Sequence, residues 1–228
     1  GRRVYVDERV GLGSARLSIL DLAGGDQPIH NEDRTVWIVY NGEVFNYPEI
    51  RAYLERKGHL FYTRTDTEVL VHLYEDLGTE LFQHLNGQFA FALWDERKKI
   101  LLLARDRMGI RPLFYHLRGG RLLFGSEIKT IFADPSVNRQ LDVQSASDIF
   151  TCWSPLGSAT AFKDIYHLLP GHYAVYKDGT LRTAPYWRMT FTNGQDSERP
   201  FSSYLEELSA LLFDATKIRL RADVPVGA

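Results

Sequence analysis

The chain has 228 residues, 44% hydrophobic and 25% charged, with a formal net charge of -2. That is the balance of a soluble globular protein, large enough for one sizeable domain or two small ones. Mixed charge without a basic stripe argues against a nucleic-acid partner, and no apolar run reaches the roughly 18–20 residues that span a membrane.

A single cysteine, Cys152, excludes an internal disulfide framework and a thiolate metal cluster, and fits a reducing, cytoplasmic setting. The seven histidines are scattered, with no His-x-x-x-His pair and no dense carboxylate cluster, so no protein-built zinc site is expected. The opening GRRVYVDERVGLG has no apolar segment of the signal-peptide kind.

In chain order, GLGSARLSIL (11–20) and TVWIVY (35–40) are apolar and β-branched enough to be strands. Asn46-x-x-Glu49 then reads as a capping box with Pro48 in the first turn; Ile50 and Leu54 share a face, and Gly58 ends the helix. Thr65-x-x-Glu68 is a second capping box, followed by Val69, Leu73 and Leu77 at helical spacing and a closing Gly78. QFAFALWD (88–95) turns through ERKK into ILLLARD (100–106). PLFYHL (112–117) and RLLFGS (121–126) form a hairpin about RGG, and HYAVYKDGTLRTAPYW (172–187) forms another about Asp178-Gly179. FTNGQDSERP (191–200) reads as a linker. Ser203-x-x-Glu206 then caps a helix whose Leu208, Leu211, Leu212, Ala215 and Ile218 need a covering partner, either the first domain or a second one. Many strands with two early helices make an α+β layered domain rather than a βαβ alternation. No phosphate loop or Gly-x-Gly-x-x-Gly is present.

Arg16 sits inside an apolar strand, where a guanidinium belongs on an outward face or clamps a carboxylate. Asn41-Gly42 is locally a turn signal, but the short strand after it runs straight into the Asn46 cap, and an amide beside a backbone N–H also makes an oxyanion hole. Asp66, at the start of the second helix, is favoured by the helix dipole or receives a ligand ammonium. Arg105-Asp106-Arg107-Met108-Gly109 is locally a salt-bridged connection. Cys152 has no base marked beside it and reads as a packed or half-exposed thiol rather than a nucleophile.

Eight stretches then fall in family order: RLSILDLAGGDQP (16–28), YNGEVFNY (40–47), TRTDTEVLVHLYE (63–75), LNGQFAFALWD (85–95), LLARDRMGIRPLFY (102–115), LLFGSEIKTIF (122–132), LLPGHYAVYKDG (168–179) and RLRADVPVG (219–227). The chain resembles the N-terminal glutaminase domain of glutamine-hydrolysing asparagine synthases, a class II glutamine amidotransferase of the N-terminal-nucleophile hydrolase type. The resemblance implies a four-layer αββα sandwich of two antiparallel sheets. It divides the chain into an amidotransferase domain (1–190), a linker (191–200) and the start of an ATP-dependent synthetase domain (201–228). It implies that Arg16 holds the glutamine carboxylate, with Leu17, Ser18, Ile19 and Leu20 lining the pocket. Asn41 and Gly42 would supply the oxyanion hole, and Glu43 with Asp66 would hold the amino group.

The resemblance also implies an activity: glutamine is hydrolysed to glutamate and ammonia, which with ATP converts aspartate to asparagine, AMP and pyrophosphate. Two alternatives remain open, a sibling synthetase with another acceptor and a non-catalytic glutaminase-like scaffold. The family's terminal Cys-Gly-Ile opening and its Ser-Gly-Gly-x-Asp-Ser loop are not among the 228 residues. A longer protein is therefore expected, with this piece inactive alone and needing no cofactor. ATP and Mg²⁺ would belong to the C-terminal domain, and glutamine, that domain and a second copy would be the partners. Val44, Phe45 and Arg111 depart from the family's usual Ile, Tyr and Lys without evident harm.

Overall fold

The computed structural model describes residues 2–15, 21, 24–191 and 199–225. A hairpin comes first, β1 (Arg2–Val6) with β2 (Gly11–Ala15). Its turn is held by Asp7, whose carboxylate accepts the N–H groups of Arg9 and Val10 and the indole N–H of Trp94. The short β3 (Ile29–His30) leads into β4 (Val36–Val44), followed by α1 (Tyr47–Arg56), α2 (Glu68–Leu77) and a 3-10 turn over Gly78–His84. Next come β5 (Gly87–Asp95), β6 (Ile100–Arg105), β7 (Phe114–Arg118) and β8 (Arg121–Gly125). Two helices follow, α3 (Ile128–Ile131) and α4 (Val143–Cys152), then β9 (Tyr166–His167), β10 (His172–Lys177), β11 (Thr180–Pro185) and α5 (Phe201–Ile218).

The centre is an antiparallel six-stranded sheet in the order β11-β10-β6-β5-β4-β3. Strand alternation divides its side chains between two cores. Ile38 and Tyr40 of β4, Phe89, Phe91 and Leu93 of β5 and Leu102 of β6 pack on one face with Ile50 and Leu54 of α1 and Val69 and Leu73 of α2. Trp37, Val39, Ala90, Ala92, Trp94 and Leu103 line the opposite face. Burial on both sides is why β5 and β6 read as nearly continuous apolar runs. The second face is covered by two separate pieces, the β1-β2 hairpin through Tyr5 and Leu12, and the three-stranded β8-β7-β9 sheet through Tyr115, Leu122 and Phe124. The expected α+β sandwich is therefore present, with its second sheet layer in two parts, and α3 packs against β7 and β8.

Hydrogen bonding at the helix starts differs from the sequence expectation. Asn46 does precede α1, but its side chain donates to the His84 carbonyl and accepts from the Asn86 N–H, tying the helix start to the approach of β5 instead of capping it. Thr65 Oγ1 accepts the Glu68 N–H at 3.3 Å as a capping residue would. Glu68 does not reciprocate; its carboxylate accepts the N–H groups of Tyr62 and Thr63. Ser203 lies inside α5, which begins at Phe201.

None of α5's side chains is buried, so its apolar stripe is not covered by the described residues. The short segment after it does dock. The Arg221 guanidinium grips both oxygens of Glu49 at 2.9 and 3.0 Å and donates to the Phe45 carbonyl, Arg219 lies over the Phe45 ring, and Asp223 accepts the Asp21 N–H. Most of the expected linker, residues 192–198, lies outside the described residues.

Candidate functional site

A cavity of about 940 Å³ lies over the middle of the six-stranded sheet, between the β1-β2 hairpin and the β7-β8 hairpin. Its floor is β4 and β5, where Val39 pairs with Ala92 and Asn41 with Ala90. One pair further along, Trp37 meets Trp94 and the layer is filled; at the two alanines the small side chains leave room.

Asn41 and Gly42 are strand residues, not a turn, since β4 continues to Val44. The reason is a close approach. A Cβ on Gly42 would lie 2.1 Å from the Gln88 carbonyl oxygen and 2.7 Å from Phe89 Cα, and one on Gly87 would lie 2.4 Å from the Glu43 carbonyl oxygen. Gly42 opposite Phe89 and Gly87 opposite Val44, two rungs apart on facing strands, let the strands close where any side chain would hold them apart. The Asn41 side chain shares the cavity wall and spends no hydrogen bond on any described residue.

Asp66 lies just before α2 and is 5% exposed. One of its oxygens accepts both the Tyr40 hydroxyl at 3.0 Å and the Val44 N–H at 2.9 Å. Burial pushes its carboxyl above the usual carboxylate range, against those two donors. Burial also raises Glu43, as does the neighbouring Asp66, while Arg111 and Arg219 draw it back. The Tyr40 hydroxyl is pushed well up by burial and by Asp66. Two carboxylates held at a cost on one cavity wall make a place that favours a ligand cation.

The structure thus brings together Asn41, Gly42, Glu43 and Asp66 around one cavity. Arg16, Leu17, Ser18, Ile19 and Leu20 lie outside the described residues; β2 ends at Ala15, itself on the cavity wall. Cys152 is exposed at the end of α4 and is not part of the wall.

Sequence reasoning passed over three wall residues. Gln27 accepts the Tyr40 N–H at 2.7 Å, Tyr40 orients Asp66, and Arg111 has a buried Nε with no hydrogen-bond partner among the described residues. The signal for Arg111 was present in the charged run before it. That run is not a salt-bridged connection: Asp106 accepts the backbone N–H groups of Phe89, Met108, Ile110 and Arg111, and Arg105 donates to the carbonyls of Gly109, Arg111 and Leu168. The loop is a backbone staple that fixes where Arg111 enters the wall.

The scattered histidines also need correction. Tertiary folding gathers Glu32, His59, His72 and Glu75, with one donor atom of each within 4.8 Å of the others. Among the described residues, no helix is long and apolar enough to cross a membrane.

The chain matches the family described as "Glutamine amidotransferase domain" over residues 1–187, and it belongs to that family, in its class II branch. It is 37% identical over 226 residues to asparagine synthetase (glutamine-hydrolyzing) 3 of Bacillus subtilis, covering 98% of this chain and 36% of that protein. It is 36% identical over 221 residues to the amidase chyE of Penicillium rubens, covering 96% of this chain and 32% of the relative. The chain therefore spans about a third of the length of these relatives. Among solved structures, the allosteric regulatory enzyme of purine biosynthesis shares the fold, with a TM-score of 0.54 at 20% identity over 77% of this chain and 34% of that one.

Proposed function

We propose that this domain binds glutamine and that the whole protein releases its amide nitrogen as ammonia for an ATP-dependent amide synthesis, with aspartate as the acceptor. The observation that carries the reading is the single cavity that puts an unspent amide and a glycine backbone, Asn41 and Gly42, beside two cation-seeking carboxylates, Glu43 and Asp66. Free glutamine presents the matching chemistry. Its side-chain carbonyl would accept from Asn41 and Gly42, its ammonium would lie between Glu43 and Asp66, and its carboxylate would take the Arg16 fork. In the whole protein a terminal cysteine thiolate would attack the amide. The oxyanion donors would hold the charge that develops on the oxygen.

A second reading, another acceptor in place of aspartate, is supported by the near-equal identity to an asparagine synthetase and to an amidase. The test uses the full-length protein with ATP and Mg²⁺, supplied with glutamine or with free ammonia. Asp66→Asn and Arg16→Ala should each abolish glutamine-dependent synthesis and spare the ammonia-dependent reaction. Equal loss of both activities would defeat the glutamine-site assignment. Glutamate release without amidation of aspartate would keep the glutaminase and overturn the acceptor.

A further inference from the structure

Away from the cavity, three chain segments meet at one point: Glu32 in the turn after β3, His59 just past α1, and His72 with Glu75 on α2. Helical spacing sets His72 and Glu75 one turn apart on the same face of α2. His72 is fully buried.

The separations are long for charge-assisted hydrogen bonds, though two of them are still within hydrogen-bond reach, and they also suit metal ligands. His72 Nδ1 lies 3.2 Å from a Glu32 oxygen and 3.3 Å from a Glu75 oxygen, and His59 Nδ1 lies 3.2 Å from the other Glu32 oxygen and 4.0 Å from Glu75. Charge-assisted N–H···O bonds close to about 2.7–2.9 Å. Four donors about 2.0–2.1 Å from a tetrahedral zinc ion stand roughly 3.3 Å from one another. The two His72 Nδ1 separations match that edge, and His59 reaches the other Glu32 oxygen at a similar distance.

The surroundings are also those of a metal site. Both rings turn Nδ1 toward the cluster and Nε2 toward a further carboxylate, Asp76 at 3.3 Å for His59 and Glu68 at 3.6 Å for His72. The Asp76 carboxylate behind His59 fixes the tautomer that leaves its inner nitrogen bare, whereas His72 Nε2 has no hydrogen-bond partner among the described residues. Those carboxylates are themselves held: Glu68 by the Tyr62 and Thr63 N–H groups, and Asp76 by Lys57 at 3.0 Å. The cluster carboxylates are held too, Glu32 by the Leu60 N–H and Glu75 by the Asn31 side-chain amide.

We propose that Glu32, His59, His72 and Glu75 form a structural site for one divalent transition metal, zinc by the chemistry of its donors. Two neutral imidazoles and two carboxylates balance the charge of Zn²⁺ and satisfy its four-fold preference. The ion would pin the loop after α1 and the turn after β3 to α2, the helix whose approach carries Asp66 into the cavity. With four protein ligands filling a tetrahedral shell, its role would be to hold this frame.

The untagged 228-residue chain, stripped with chelator, should bind one zinc ion per chain in a competition titration against a chromophoric chelator, and its Tm should rise with added zinc. Co²⁺ in the same protein should give the intense visible absorption of a tetrahedral site. His59→Ala and Glu75→Gln should each weaken zinc binding at least tenfold, and Asp76→Asn, behind the site, by about 10–100-fold. Because His59 and Glu75 are partly exposed, these variants avoid the fully buried His72, and circular dichroism without metal should match the wild type. Absence of stoichiometric zinc, or zinc bound equally by the wild type and the two ligand variants, would overturn the proposal.

Discussion

Gly42→Ala tests the close approach on which the cavity floor rests. The added methyl would start 2.1 Å from the Gln88 carbonyl oxygen, and Cβ atoms essentially never come within 3.0 Å of a neighbour, so β4 and β5 must part by about 0.9 Å. Both contacts are backbone, so no side chain can swing aside. The rungs beside it pair Asn41 with Ala90 and Glu43 with Gln88. A shift of that size stretches an ordinary ladder hydrogen bond beyond its useful range. Losing two or three such bonds costs about 0.5–1.5 kcal/mol each, and the overpacking costs about 1–3 kcal/mol more, for a total of about 2–7 kcal/mol. At about 2–4 °C per kcal/mol for a domain of this size, Tm should fall by roughly 4–28 °C. Urea unfolding followed by tryptophan fluorescence gives the free energy directly. Gly11→Ala is the control, since nothing lies within 4 Å of its added Cβ, and it should stay within about 0.5 kcal/mol of wild type. A Gly42→Ala protein as stable as the control would refute the steric argument.

Three further outcomes are expected. Tyr40→Phe leaves the buried Asp66 with only the Val44 N–H on that oxygen; it should cost about 1.5–3 kcal/mol at neutral pH and less in acid, where Asp66 is protonated, and an equal loss at both would contradict a charge-assisted bond. Asp66 and Glu43 both hold protons more tightly folded than unfolded, so they lower stability as pH rises from the ordinary carboxylate range through their raised values. A bound ammonium reverses that cost, and the Tm increase caused by glutamine should therefore appear only as pH climbs through the same window; a pH-independent increase would remove these carboxylates from the ligand. Ala90→Leu fills the cavity floor opposite Asn41 and should weaken glutamine binding more than tenfold while moving stability by about 1 kcal/mol or less, as calorimetry and urea unfolding can establish together.

The strands were legible because both faces of the central sheet are buried, which leaves long apolar runs such as QFAFALWD and ILLLARD closed by turn residues. The hairpin about Asp178-Gly179 was legible for the same local reason, and both residues take positive φ as such a turn requires. Helices α1, α2 and α5 were legible from their apolar spacing, while α3 and α4 were not read; the α1 capping was not legible either, because Asn46 and Glu49 found better partners in Asn86 and Arg221, residues remote in sequence. The N-terminal β1 was missed because its RRVYV is largely exposed and lacks a strong apolar pattern.

What the sequence determined by itself is the list of parts: an α+β domain, a recognisable order of motifs, and Asn41, Gly42, Glu43 and Asp66 as residues worth watching. Only the tertiary structure decided how they meet. The same Asn-Gly pair that starts a turn elsewhere stays extended here because it pairs with Ala90 and Phe89 of β5, and Gly42 has no Cβ to hold the strands apart. Asp66 became a costly buried carboxylate because Tyr40, from another strand, holds it at the cavity wall. Histidines and glutamates that looked scattered along the chain converge because α2 packs against the loops that carry Glu32 and His59. Local sequence determines backbone preference over a few residues; burial, pKa and ligand geometry depend on neighbours that only long-range packing supplies.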